Sequence, residues 1–140
     1  MAEQTYNQEF NGYWREPNKE GIPAISGIYC VYECTYNTIE KNVALQRLIY
    51  IGESENINSR IFNHEKLPLW QRYVRTGNVL CYSCTPINAP DRFRVEAAFI
   101  NHHQPPVNIE YKDNFSFDKT NVHTSGSNAL LERFFVVNRH

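Results

Sequence analysis

Two β-prone stretches, 26–35 (SGIYCVYECT) and 43–51 (VALQRLIYI), flank a short polar segment at 37–42, and no other feature limits the fold as much. Runs rich in Tyr, Ile and Val with so little chain between them turn back on one another as an antiparallel hairpin. If the strands pair symmetrically about the turn, opposed residue numbers sum to a constant. A sum of 79 leaves 38–41 as a four-residue connection and sets Gly27 opposite Gly52, Ile28 opposite Ile51 and Tyr29 opposite Tyr50. Tyr29 and Tyr50 then share a sheet face with Cβ atoms about 5 Å apart. Taken alone, such a pair is most often a cross-strand aromatic contact in a core, and a bulge would break the register.

The rest of the chain adds helices. Ser54 is placed to cap a helix over 55–66, and Pro68 to open a second, short one that Gly77 stops. Residues 79–84 read as a third strand. Pro90 and Asp91 open a helix over 91–103, which Pro105-Pro106 ends. Residues 1–23 read as a polar lead-in, and 128–137 fit helix or strand equally. The order predicts an α+β fold: a small antiparallel sheet with helices packed on it. A length of 140 residues suits a single domain, with a motif core over about 22–112, a lead-in over 1–21 and a C-terminal extension over 113–140.

Hydrophobic residues make up 41% and aromatics 14%, enough to fill one core without disulfides or a structural metal. No run of about 18 apolar residues exists, so no membrane span is expected. The start, MAEQTYNQEF, has neither a basic nor an apolar leader region, which makes the cytoplasm the expected location. Cys30, Cys34, Cys81 and Cys84 invite a zinc reading, but each pair lies in a strand-like stretch. Residues four apart on a strand are about 13 Å apart, so reduced core cysteines are the expectation. Net charge is −1, yet 58–75 carries Arg60, Lys66, Arg72 and Arg75 against Glu65 alone. That patch is either a solvated helical face or a surface for a phosphate backbone, with Lys66, Arg72 and Arg75 as substrate contacts.

Two helical positions stand out chemically. At 100° per residue, Arg60 and His64 share an arc with Ile57 and Ile61, where a guanidinium needs an anionic partner or must snorkel outward. Glu96 falls in an arc with Phe93, Phe99 and Ile100. A carboxylate there is costly unless it pairs with Arg60 or Arg92, or binds a cation.

Gly27-Ile28-Tyr29 and Tyr50-Ile51-Gly52 together resemble the paired signature of the GIY-YIG nuclease superfamily. The likeness continues in order through Arg60, Glu96 and Asn108, and His64 resembles a subset that includes certain restriction endonucleases. It spans about 26–108, with a longer separation between the tripeptides than is usual in the family. The resemblance implies a three-stranded antiparallel sheet flanked by helices, and metal-dependent hydrolysis of DNA to 5′-phosphate and 3′-hydroxyl ends. On that basis Glu96 holds one Mg²⁺ or Mn²⁺ and Arg60 stabilises charge on the phosphoryl oxygens. Tyr29 takes the proton of the attacking water with His64 as the rival base, Tyr50 positions phosphate or water, and Asn108 ties down the adjoining loop. A non-catalytic nucleic-acid-binding module of the same fold is the alternative. A homodimer through the residues after Asn114 would allow both strands to be cut.

Overall fold

The computed structural model describes residues 2–140. In chain order its elements are β1 (Gln4–Arg15), β2 (Gly27–Asn37), β3 (Asn42–Ser54), α1 (Ile57–Phe62), α2 (Leu67–Arg72), β4 (Val79–Pro86), α3 (Ala89–His103), β5 (Thr120–Gly126) and β6 (Phe134–Val137). All six strands form one mixed, strongly curled sheet in the order β3-β2-β4-β1-β5-β6. Among the described residues no helix is long and apolar enough to cross a membrane.

The three-stranded antiparallel sheet flanked by helices is thus corrected. The run β3-β2-β4 is antiparallel, but β1 pairs with β4 and continues the sheet, running parallel to β5, with β6 on the far edge. The segment read as a polar lead-in is therefore a strand. Its inward positions are Tyr6, Gln8 and Phe10, and the buried glutamine hides the alternation. Gln8 is satisfied in the interior, where its amide donates to Thr85 Oγ1 at 2.9 Å and to the Pro86 carbonyl at 3.0 Å.

Residues Gly27–Cys34 of β2 are buried throughout, because both faces of the strand are covered. Ile28, Cys30, Tyr32 and Cys34 face a core with Val95, Phe99 and Phe135. Tyr29 and Val31 face a second core with Ile57, Ile61 and Trp70. Alternation along one strand thus feeds two cores, α3 on one side and α1–α2 on the other.

The hairpin register is also corrected. The sum of 79 holds at the turn, where Asn37 faces Asn42, but two bulges shift it to 81 at the far end. Tyr29 therefore lies opposite Gly52, and Tyr50 opposite Val31. Both extra residues belong to β3, and two of them shift the register by two, which restores the side-chain face. Tyr29 and Tyr50 still share a face, as diagonal neighbours.

Cys34 and Cys81 are joined in a disulfide, which corrects the expectation of four reduced cysteines. They lie on the adjacent strands β2 and β4 with Cα atoms 6.4 Å apart, within bridging reach. Cys30 and Cys84 are free and buried, and burial pushes their thiols up to about 12 and about 11.

Candidate active site

Both tripeptide glycines are required by close approach. A Cβ on Gly27 would strike the Thr85 carbonyl oxygen across the sheet. One on Gly52 would fall onto the Cζ and hydroxyl of Tyr29 and 2.9 Å from its Cε1. The Tyr29 ring lies across the bare backbone of Gly52, which the register correction makes its partner.

The Tyr29 hydroxyl is 2.9 Å from His64 Nε2. His64 does not lie on α1, which ends at Phe62 and is capped by Asn56 rather than Ser54. It sits on the turn before α2, buried, packed against Trp70 with ring centroids 4.3 Å apart and the planes tilted by 43°. The backbone N–H of Lys66 donates to His64 Nδ1 at 3.0 Å, so that nitrogen carries no proton. Burial, helped by the Arg60 cation, pushes His64 down to about 4, so the ring is neutral at pH 7. Its single N–H is therefore on Nε2 and donates to Tyr29. Neither nitrogen is left to act as a base.

The two phenols differ in access. Tyr29 is 1% exposed, whereas Tyr50, with its ring centroid 6.3 Å from that of Tyr29, lines a cavity of about 270 Å³ with Lys66, Glu96 and Asn108. Burial, with Tyr50 adding, holds Tyr29 well above 10, and burial with Glu96 pushes Tyr50 up to about 12. Arg60 opposes both shifts.

The cavity lies at the β3 edge, where α3 from one face and the 63–66 turn from the other both reach. Asn108 closes that edge. Its Nδ2 donates to the Ile51 carbonyl at 2.8 Å, and its Oδ1 accepts from the Ile51 N–H at 2.9 Å. The side-chain amide substitutes for a neighbouring strand at the middle residue of Tyr50-Ile51-Gly52. Val107 N–H adds a backbone bond to the Ile49 carbonyl at 3.2 Å.

Glu96 comes from α3. The two arginines named as its possible partners are engaged elsewhere: Arg60 with Glu65, and Arg92 with Glu53 and with Ser26 Oγ at 3.0 Å. Burial, then the nearby Glu53 and Glu110, push the Glu96 carboxyl up to about 8. A carboxylate on the wall of that cavity, within the field of Glu53 and Glu110 and with no salt bridge among the described residues, fits a hard divalent cation. Among the described residues no three His, Cys, Asp or Glu side chains gather as a preformed ligand set, so an ion at Glu96 would keep most of its waters.

The expected substrate contacts separate. Lys66 lines the cavity, and Arg72 is exposed in the last turn of α2. Arg75 folds onto Glu33 of β2, whose buried carboxylate accepts the Arg75 backbone N–H at 2.8 Å, Arg75 Nε at 3.2 Å and Asn78 Nδ2 at 2.8 Å. Sequence reasoning missed Glu65 and Glu110, which sit in turns that carry no periodic signal, and Glu53, whose place near the end of β3 depends on the bulged register.

No family model, curated protein or solved structure matches the chain.

Proposed function

We propose that the protein is a divalent-metal-dependent endonuclease that hydrolyses DNA to 5′-phosphate and 3′-hydroxyl ends, and a divergent member of the GIY-YIG superfamily. One observation carries this reading: Glu96 faces the cavity beside Tyr50 and Lys66 while both arginines able to neutralise it are paired with other carboxylates. A closed Arg60–Glu96 pair would have favoured the non-catalytic module.

Glu96 is the metal-holding residue, and Mg²⁺ or Mn²⁺ bound there supplies Lewis-acid stabilisation of the phosphoryl and leaving oxygens. Tyr50 and Lys66 orient the phosphate and the water from the cavity wall. As the water oxygen bonds to phosphorus, its proton passes to the Tyr29 oxygen, which acts as a base only after releasing its own hydroxyl proton to solvent. His64 Nε2–H and the Arg60 cation favour that phenolate against the burial that opposes it. The P–O3′ bond breaks, and solvent protonates the leaving oxygen. Asn108 keeps Tyr50 in place through Ile51.

The test is cleavage of supercoiled plasmid and of single-stranded oligonucleotides with Mg²⁺, Mn²⁺ or EDTA, alongside Glu96→Ala. Metal-dependent cutting that disappears in the variant supports the reading. Intact binding without cutting of any substrate supports the module instead.

A further inference from the structure

The turn that carries His64 also carries Glu65, a residue the reaction as described does not use. Its carboxylate takes the guanidinium of Arg60 in a two-bond fork, Nη1 to Oε2 at 2.5 Å and Nη2 to Oε1 at 2.8 Å. We propose that Glu65 is the resident counter-ion of a phosphate-binding fork on Arg60, and that a phosphodiester of the substrate displaces it. The part of this inference that concerns catalysis rests on the nuclease reading; the anion site itself does not.

The geometry supports exchange. A carboxylate and a phosphate offer the same pair of oxygens to a guanidinium, so an edge shaped for one accepts the other. Among the described residues, Glu65 is a partner of a site residue that can leave cheaply. Its side chain is 64% exposed, and it can swing into water without stranding a buried charge. The carboxylates of Glu33 and Glu53, at 0% and 20%, hold their arginines from inside the fold. An exposed pair of this kind is held weakly, which suits a placeholder and not a structural tie.

The surroundings of Arg60 are those of a backbone-phosphate site. Ser54, Glu55, Asn56, Ser59 and Asn63 line a cleft of about 240 Å³ beside the guanidinium, where hydroxyl and amide groups are open to a sugar-phosphate chain and the Glu55 carboxylate opposes it. On its other side Arg60 is felt by both Tyr29 and Tyr50. Departure of Glu65 would free the fork for the incoming anion. The carboxylate thus keeps the arginine ordered before substrate arrives and screens it from weak anions.

The experiment is an NMR titration of the metal-free full chain with inorganic phosphate, following the amides of 54–66 and the Arg60 side chain. Wild type is compared with Glu65→Gln and with the double variant Arg60→Gln/Glu65→Gln. Glu65→Gln is expected to bind phosphate roughly fivefold more tightly, and the double variant to lose the response. Unchanged or weaker binding in Glu65→Gln, or a response that survives loss of Arg60, overturns the inference. In cleavage assays Glu65→Gln is expected to lower KM; a fall in kcat at unaltered KM would mean that Glu65 positions Arg60 and is not displaced. If phosphate binding tightens as expected but wild type cuts nothing, the anion site stands and the nuclease reading fails.

Discussion

The ring of Tyr29 rests on the backbone of Gly52, and the hydroxyl at its far end is fixed by His64. The glycine is therefore a packing requirement of the tyrosine. Gly52→Ala is expected to push the ring aside, to lengthen the Tyr29–His64 hydrogen bond and to cost about 1–3 kcal/mol of stability through overpacking. Urea unfolding measures the stability. A shifted Tyr29 ring resonance reports the displacement, and an unperturbed resonance would mean that the ring is not held there.

Asn108 binds both backbone groups of Ile51, so its removal orphans a buried donor and acceptor together. Asn108→Ala is expected to cost about 2–4 kcal/mol by chemical denaturation. It should also loosen Tyr50 and reduce cleavage. Asn108→Asp keeps an acceptor for the Ile51 N–H but sets a carboxylate against its carbonyl. That variant should be no better than alanine.

The parts of the site that lie in the hairpin and α3 were legible in the sequence, because side-chain alternation and the proline boundaries mark those elements directly. The shared face of Tyr29 and Tyr50 survived an incorrect register because the two bulges in β3 add two residues and a strand repeats every two. The extra strands were not legible. Gln8 interrupts the apolar alternation of β1, and β5 (TNVHTSG) has few apolar residues and pairs on one side with β1, more than a hundred residues earlier, and on the other with the short β6. The Arg60–Glu65 and Arg75–Glu33 pairs depend on turn geometry and long-range packing, which local pattern does not encode.

Glu33 anchors the loop after α2 from beneath the sheet. Burial works to raise its carboxyl, but hydrogen bonds from the Arg75 backbone, Asn78 and the Arg75 side chain outweigh that and hold it at about 2. The sign follows for a depressed carboxylate: its contribution to stability is complete above the ordinary value of 4.5 and is lost as pH falls toward 2. Glu33→Gln should flatten the acid limb of the stability curve over that window and destabilise the protein by about 2 kcal/mol at pH 7. Thermal melts across pH 2.5–7 (the range is roughly that of the titration) check both. Arg75→Ala is expected to lower stability more than it lowers DNA affinity.

Glu96 has the opposite sign. With its folded value raised to about 8, the metal-free protein should lose stability as pH rises from about 4.5 through 8, where the unfolded chain has already released the proton. Glu96→Gln should match wild type near the acid end of that window and exceed it at the alkaline end. Addition of Mg²⁺ should restore wild type at alkaline pH and leave the variant unchanged. Melting temperatures at the two ends of the window, with and without Mg²⁺, decide the matter.

The most direct test of the account is Mn²⁺ binding, followed by electron paramagnetic resonance at a pH above the Glu96 titration, in wild type and Glu96→Gln. Wild type is expected to bind one ion per chain, displaceable by Mg²⁺, and the variant, folded but lacking the carboxylate, to bind none. Equal binding in the two proteins, or no binding by a wild type that still cleaves DNA, would contradict a metal centre at Glu96.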